Sequence, residues 1–83
     1  MPPRRTKQLH KRSKAALALA TVLRTRRHAL GLSQEAFAEK VGLSKNYIGN
    51  LERGEYEPSV TTLVTISGQL GFKVSDILQA AGL

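Results

Sequence analysis

Apolar residues recur at spacings of three and four through most of residues 15–78, which is the period of an α-helix. Glycines and capping residues interrupt this pattern, so the chain divides into several short helices. The first segment, residues 13–30, is rich in strong helix formers and contains no glycine or proline before Gly31 ends it. These features predict an all-α fold.

Residues 33–54, SQEAFAEKVGLSKNYIGNLERG, contain the most informative pattern in the chain. A short helix begins after Ser33, a good N-cap, and ends at Gly42, because glycine readily adopts the left-handed conformation that closes a helix. Ser44 then caps a second short helix. Two helices joined by a glycine turn at this spacing predict a helix-turn-helix. The residues expected on its inner side are Phe37, Ala38, Val41, Ile48 and Leu51.

Two further helices are predicted after the polar turn at residues 55–58. Ser59 caps the first of them, whose apolar positions recur at helical spacing until Gly71 closes it. Residues 72–78 predict a short fifth helix. The inward residues expected in these two helices are Val60, Leu63, Ile66, Leu70, Val74, Ile77 and Leu78.

Composition limits what such a fold can do. The 83 residues are enough for one domain with a modest core, and no separate catalytic or effector-binding domain is expected. The chain has no cysteine, which excludes disulfides and thiolate chemistry. Its two histidines are isolated from any metal-ligand spacing, so no metal or cofactor is expected. No segment approaches the roughly eighteen apolar residues that a bilayer span requires.

The formal net charge of +7 is unevenly distributed along the chain. Residues 1–30 contain nine lysines and arginines and no acidic residue, whereas residues 31–83 contain four basic and six acidic residues. Such asymmetry indicates a polyanionic partner, and nucleic acid is the commonest one for a small basic domain.

Residues 1–12 are predicted to form a basic, mostly flexible arm, and residues 13–83 the folded domain. The arm is either a solubilising tail or a segment that follows DNA phosphates or enters a minor groove. In the second case Arg4, Arg5 and Lys7 contact the DNA backbone. A basic N-terminal segment followed by apolar residues also resembles an export signal. Cleavage of such a signal would remove the first helix of the domain, so we expect a cytoplasmic location instead.

Residues in and after the predicted helix-turn-helix match a known pattern: Gln34, Ala38, Gly42, Ile48 and Leu51, then residues 52–54 (ERG) and 58–63 (PSVTTL). In these positions the chain resembles phage Cro and C1 repressor-like regulators, the XRE family, over roughly residues 16–78. The resemblance implies a compact five-helix, lambda-repressor-like domain that binds double-stranded DNA as a homodimer on a palindromic operator. It also implies a small repressor or a regulator like the restriction-modification controllers.

The exposed side of the second helix of this motif is the predicted DNA-reading surface. The major groove of B-DNA admits one α-helix, and its base edges present distinct donors and acceptors. Lys45 can donate to guanine O6 or N7, and Asn46 or Asn50 can form paired hydrogen bonds with adenine. In the family that the chain resembles, these positions read bases or neighbouring phosphates. Contacts with the DNA backbone are expected from Gln34, Ser44, Tyr47, Arg53, Arg4, Arg5 and Lys7.

Two residues of the reading helix have more than one interpretation. Tyr47 either contacts a phosphate or a thymine methyl group, or lies on the domain's own surface. Gly49 is either tolerated, at a cost of about 1 kcal/mol against alanine, or allows close approach of another backbone or of DNA. Without the surrounding motif, the polar residues of this helix would be read as a solvated face.

Arg27 lies on or beside the apolar stripe of the first helix. It is either a surface charge whose stem covers the core or, as the resemblance implies, the ion-pair partner of Glu52 at the end of the reading helix. The turn after this helix departs from the family, since Arg53 is its only basic residue, beside Glu55 and Glu57. This departure weakens the expectation of a contact between the turn and DNA phosphates.

These observations predict a sequence-specific DNA-binding transcription regulator rather than an enzyme. No catalytic residue, cofactor, membrane association or small-molecule effector is expected. Two alternatives stay open. One is an antitoxin-type module that binds DNA and also masks a partner protein. The other is a basic amphipathic helix that binds membrane or RNA without sequence preference.

Overall fold

The computed structural model describes residues 13–83, and the predicted arm of residues 1–12, with Arg4, Arg5 and Lys7, lies outside the described residues. Within residues 13–83 the chain forms five α-helices and no β-strand, which confirms the predicted all-α class. None of these helices combines the length and the apolar character that a membrane span requires. The helices are α1 (Lys14–Ala29), α2 (Gln34–Val41), α3 (Lys45–Glu52), α4 (Val60–Leu70) and α5 (Val74–Ala80).

The first four helices begin in the same way, at a serine. Each serine has an extended backbone, and its hydroxyl oxygen accepts a hydrogen bond from the backbone N–H three residues later, at 2.9 to 3.0 Å. This contact satisfies one of the four amides that are left free at a helix start. The three predicted serine caps are therefore confirmed. The four N-cap residues are Ser13, Ser33, Ser44 and Ser59.

The fifth helix is capped differently, because the side chain of Lys73 at its N-cap position has no acceptor. The carboxylate of Asp76 instead accepts the backbone N–H of Lys73 at 3.0 Å. The helix spans Val74–Ala80, so it begins and ends two residues later than the predicted segment at residues 72–78. Phe72 therefore belongs to the preceding turn.

Gly42 produces the turn between α2 and α3. Its φ of 74° lies in the left-handed region, which glycine enters without the penalty that a Cβ carries. The backbone N–H of Leu43 then donates to the carbonyl of Ala38 at 2.9 Å and closes the end of α2. The predicted glycine turn of the helix-turn-helix is confirmed.

All five helices contribute to one hydrophobic core. The side chains of Leu23, Phe37, Ile48, Ile66 and Ile77, one from each helix in chain order, are at most 1% exposed. Helix α1 packs against α3 and α5, and α2 packs against α3 and α4. The direction of α3 is therefore set from two sides, by α1 and by α2, and burial of these side chains is the main favourable term in folding.

Most of the residues predicted to face the core do so, but Val60 does not. Its side chain is 73% exposed, so the prediction that it faces inward is wrong. Val60 is the first residue of α4 and stands at the edge of the buried stripe that contains Leu63, Ile66 and Ser67, where none of the helices in residues 13–83 covers it. The confirmed inward residues are Leu63, Ile66 and Ile77, which are buried, and Leu70, Val74 and Leu78, which are partly buried against the core.

Replacing Gly42 with alanine is expected to destabilise the fold by about 1–2 kcal/mol, because a Cβ is strained in the left-handed conformation. A Cβ at this position would meet no atom within 4 Å, so the loss would come from the backbone alone. Gly42→Asn is the matched control, since asparagine enters this conformation more readily and should lose less stability. Chemical denaturation measures the free energies of unfolding of wild type, Gly42→Ala and Gly42→Asn. Equal stability of Gly42→Ala and wild type would contradict the strain argument.

Candidate nucleic-acid interface

The outward side of α3 contains the residues predicted to read bases. Lys45 and Asn46 are exposed at the N-terminal end of α3, whereas Ile48 and Leu51 on its other side are buried in the core. Asn50, one turn after Asn46, is half-buried. The structure therefore brings the three polar residues to the side of the helix that faces away from the core. Their contacts with bases stay a prediction.

Tyr47 lies against the domain's own surface. Its ring stacks on that of Tyr56, with ring centroids 6.1 Å apart and planes inclined by 27°. Its hydroxyl is 3.5 Å from Thr62 Oγ1, a distance at which a hydrogen bond is weak. Of the two interpretations that the sequence leaves open, the structure shows the contact with the domain itself, and a DNA contact by Tyr47 stays a prediction.

A buried ion pair joins α1 to the last residue of α3. Arg27 donates through Nε to Glu52 Oε2 at 2.7 Å and through Nη2 to Glu52 Oε1 at 3.0 Å. The two side chains are only 11% and 2% exposed. This geometry engages both carboxylate oxygens and ties the end of α3 to α1. Of the two interpretations of Arg27, the ion pair with Glu52 is the one that the structure contains.

Three further hydrogen bonds surround this pair. Gln34 at the start of α2 donates through Nε2 to Glu52 Oε1 at 3.0 Å. Arg27 Nη1 donates to the backbone carbonyl of Leu32, and Arg24 Nη1 donates to the backbone carbonyl of Glu52, each at 2.9 Å. Sequence reasoning missed Arg24, although its position three residues before Arg27 places both on one side of α1. No buried side-chain nitrogen or oxygen within residues 13–83 lacks a hydrogen-bond partner, so burial of the pair is compensated.

A second polar cluster lies at the C-terminal end of α3, formed by Gly49, Asn50 and Arg53. The side chain of Arg53 folds back along the helix, and its Nη2 donates to Asn50 Oδ1. Its Nη1 lies over Gly49, where an added Cβ would be 3.2 Å from that nitrogen. The space above Gly49 is thus filled by a side chain of the same domain, which neither interpretation of this glycine included. Sequence spacing gives no signal for such a fold-back, because it depends on the rotamer of one exposed arginine.

The turn between α3 and α4 is attached to the start of α1. Ser13 Oγ donates to Glu57 Oε2, while the same oxygen accepts the capping N–H of Ala16. Gly54 packs so closely against α1 that a Cβ would lie 2.7 Å from Leu17 Cδ2. The acidic character of this turn therefore has a use inside the domain, since the carboxylate of Glu57 is bound to the cap of α1.

Helix α3 is thus held at both ends and leaves its polar side outward. Ser44 caps its start, and the Glu52 carboxylate fixes its end. A helix held in this way can present ammonium, amide and guanidinium donors to base edges and phosphate oxygens with little further ordering. This outward, polar side of α3 is the candidate nucleic-acid interface.

The HTH_3 family, described as helix-turn-helix, matches residues 23–77, from the second half of α1 into α5. The chain belongs to the HTH_3 family. The match includes both helices of the motif and their supporting helices, and it confirms the predicted resemblance to Cro and C1-type regulators.

Relatives of this HTH_3 chain include a phage repressor and two control proteins. The immunity repressor protein of Bacillus phage phi105 is 45% identical over 47 residues, which are 57% of this chain and only 33% of the repressor's length. The control protein C.SmaI of Serratia marcescens is 38% identical over 65 residues, 78% of this chain and 77% of that protein. The crystal structure of the restriction-modification controller protein C.AhdI from Aeromonas hydrophila matches with a TM-score of 0.70 at 31% identity, covering 75% of this chain and 94% of that one.

These similarities agree with the geometry of α3. The match to the C.AhdI structure confirms the predicted all-α helix-turn-helix fold. As an HTH_3 member, the chain is a DNA-binding regulator. The prediction that it is not an enzyme is confirmed by its relatives, which are a repressor and control proteins.

Arg27→Ala is expected to lower the free energy of unfolding by about 3–5 kcal/mol, because it leaves the carboxylate of Glu52 buried without its cation. Arg24→Ala is the matched control: it removes the same charge from the same helix, but from an exposed side chain with one hydrogen bond to a carbonyl. The control should lose much less stability. Urea denaturation of the three proteins measures the difference, and equal losses in both variants would contradict a special role for the buried pair.

Proposed function

We propose that this HTH_3 chain is a sequence-specific transcription regulator that binds double-stranded DNA as a homodimer on a palindromic operator. The observation that carries the proposal is the attachment of α3, whose inner side is buried and whose last residue is tied to α1 by the Arg27–Glu52 pair. A helix held in this way fits the major groove, which admits one α-helix. The protein acts in the cytoplasm, where the DNA is.

Base reading is assigned to the N-terminal end of α3. Recognition helices of helix-turn-helix proteins contact base edges mainly through their N-terminal residues, and Lys45 and Asn46 are exposed there. Lys45 donates to guanine O6 or N7, and Asn46 forms a pair of hydrogen bonds with adenine. Asn50, one turn later, reads a neighbouring base.

Phosphate contacts are assigned to groups that flank α3. The amide nitrogen of Gln34 carries two N–H donors, and Glu52 binds one of them, so the second is available to a phosphate beside the free amides of the start of α2. The hydroxyl of Ser44 accepts the N–H of Tyr47 and can donate its own proton outward. The remaining proposed backbone contacts are Tyr47, Arg53 and the arm residues Arg4, Arg5 and Lys7.

The exposed face of α4 is the proposed surface for a second copy of the chain. Helix α4 contains no charged residue, and its Val60 and Val64 are 73% and 53% exposed. Two copies that each carry a net charge of +7 repel each other, so an uncharged face is where they approach at the lowest electrostatic cost. The same face on both copies makes a two-fold contact, which presents two α3 helices to half-sites about 34–36 Å apart.

The named relatives support a small repressor or an autoregulatory controller. The phi105 protein is an immunity repressor, and C.AhdI is a restriction-modification controller. A dimeric reading domain with no catalytic step suits this role.

Asn46→Ala is expected to weaken binding to the preferred operator by about 1–3 kcal/mol and to relax one base position in each half-site, since it removes one base contact. Selection of bound sequences from random duplex DNA at physiological salt measures both effects. Wild type is expected to enrich a palindrome in this experiment. Enrichment of no sequence, or equal competition by scrambled duplex or RNA, would contradict sequence-specific recognition.

Deletion of residues 1–8 is the control for the loss of a base contact. It removes Arg4, Arg5 and Lys7, so affinity should fall for all sequences alike and its salt dependence should flatten. Fluorescence anisotropy titrations at several salt concentrations separate this uniform loss from the selective loss in Asn46→Ala.

Val64→Lys is expected to convert the homodimer into a monomer, because it places a charge on the uncharged face of α4 where two copies meet. Leu30→Lys is the matched control, since Leu30 is a similarly exposed apolar residue, at 47% against 53%, and lies outside α4. Analytical ultracentrifugation measures the mass of each protein alone and on a two-half-site operator. A dimer that survives in Val64→Lys would show that the copies meet elsewhere.

A further inference from the structure

Asn50 does not orient its amide freely, because Arg53 holds it. Arg53 Nη2 contacts the Oδ1 end of the Asn50 side chain. A guanidinium contains only N–H donors, so the atom of Asn50 that meets it must be the carbonyl oxygen. The Nδ2 atom, with its two N–H donors, is therefore the end of the side chain directed away from Arg53.

Arg53 reaches Asn50 in this way because residue 49 is a glycine. A Cβ at Gly49 would be 3.2 Å from Arg53 Nη1, which is closer than an ordinary van der Waals contact, so with alanine here the guanidinium would have to shift by a few tenths of an ångström. Gln34 Oε1 lies 3.7 Å from the same point and adds an acceptor oxygen on this side of the helix. The direction of this Gln34 oxygen is set by the nitrogen of the same amide, which donates to Glu52.

A fixed amide matters because adenine and guanine require different edges of asparagine. Adenine presents a donor, N6–H, beside the acceptor N7, so it pairs with both the oxygen and the nitrogen of the amide. Guanine presents two acceptors, O6 and N7. With its oxygen bound to Arg53, Asn50 offers donors, and the remaining N–H groups of the guanidinium add donors and positive charge beside them. An adenine amine brought to the second lone pair of the oxygen would lie against the guanidinium.

We infer that Arg53 is a positioning residue that sets the base preference of Asn50 to guanine, and that Gly49 provides the space in which Arg53 does so. The inference rests on the proposed function, since it requires α3 to lie in a major groove. It replaces the adenine expected for Asn50 from its residue type alone, and it gives Arg53 a role in specificity in addition to a phosphate contact.

The preferred base at one operator position is the readout, because a purely structural role for Arg53 would not change it. Selection from random duplex DNA with Asn50→Ala identifies the position, where the base preference flattens. Wild type is expected to prefer guanine over adenine there by roughly 5- to 100-fold. Arg53→Met frees the Asn50 amide, and Gly49→Ala shifts the guanidinium of Arg53 by a few tenths of an ångström while keeping every polar side chain of α3. Arg53→Met is expected to move the preference at that position toward adenine, and Gly49→Ala to move it in the same direction by less. Arg53→Lys, which keeps a charged donor, should retain guanine.

Lys45→Met is the charge-matched control for Arg53→Met. It removes one positive charge from the other end of α3 and should weaken binding without changing the base at the Asn50 position. Gly49→Ala gains helix propensity, so it is expected to stay folded, which thermal unfolding checks. Arg53→Met tests the same step without any change within α3.

Three outcomes would overturn the inference and leave the proposed function in place. They are a wild-type preference for adenine at that position, an unchanged guanine preference in Arg53→Met, and the absence of any position that flattens in Asn50→Ala. If wild type enriches no sequence at all, the proposed function and the inference fail together.

Discussion

The geometry of the reading helix depends on the buried pair between Arg27 and Glu52. Helix α3 has only eight residues, a length at which an isolated helix is marginal in water, so its direction comes from the contacts that hold it. Apolar contacts through Ile48 and Leu51 hold one side, but hydrophobic burial is non-directional. The pair adds direction, because two nitrogens must meet two carboxylate oxygens at 2.7 and 3.0 Å. A carboxylate buried without its partner is costly, so the fold favours the orientation in which the pair closes.

The same carboxylate also organises the polar groups on the outer side of the motif. Glu52 binds Gln34 as well as Arg27, and this bond directs the oxygen of Gln34 toward Gly49, over which Arg53 lies. Arg53 in turn holds Asn50. Gln34 and Arg53 thus approach the same side of Gly49, one bound to the buried carboxylate of Glu52 and the other to Asn50. Glu52 therefore holds the end of α3 to α1 and orients the Gln34 amide beside the polar side of α3.

Features that depend on one residue's own conformational preference could be predicted from the sequence. Ser44 as a cap and Gly42 as a turn are examples, and the structure contains both. The exposure of Val60 could not be predicted, because it depends on which helix covers the first turn of α4. The contact of Ser13 with Glu57 joins residues 44 positions apart, and no local pattern encodes it. The Arg27–Glu52 pair was available only through the family resemblance, since helical spacing alone left Arg27 as a surface charge.

The acidic turn after α3 shows how the motif's geometry is kept while its charges differ from the family pattern. Glu57 is bound to Ser13, so this turn supports α1, and Arg53 is the one basic residue that the turn offers to the DNA backbone. Residues 1–30 hold nine of the 13 lysines and arginines. Attraction to phosphates is independent of sequence and weakens with salt, whereas hydrogen bonds to base edges carry the specificity. In the proposed assignment the residues of the arm contribute only the sequence-independent attraction, so changes in the arm alter overall affinity without altering the choice of bases.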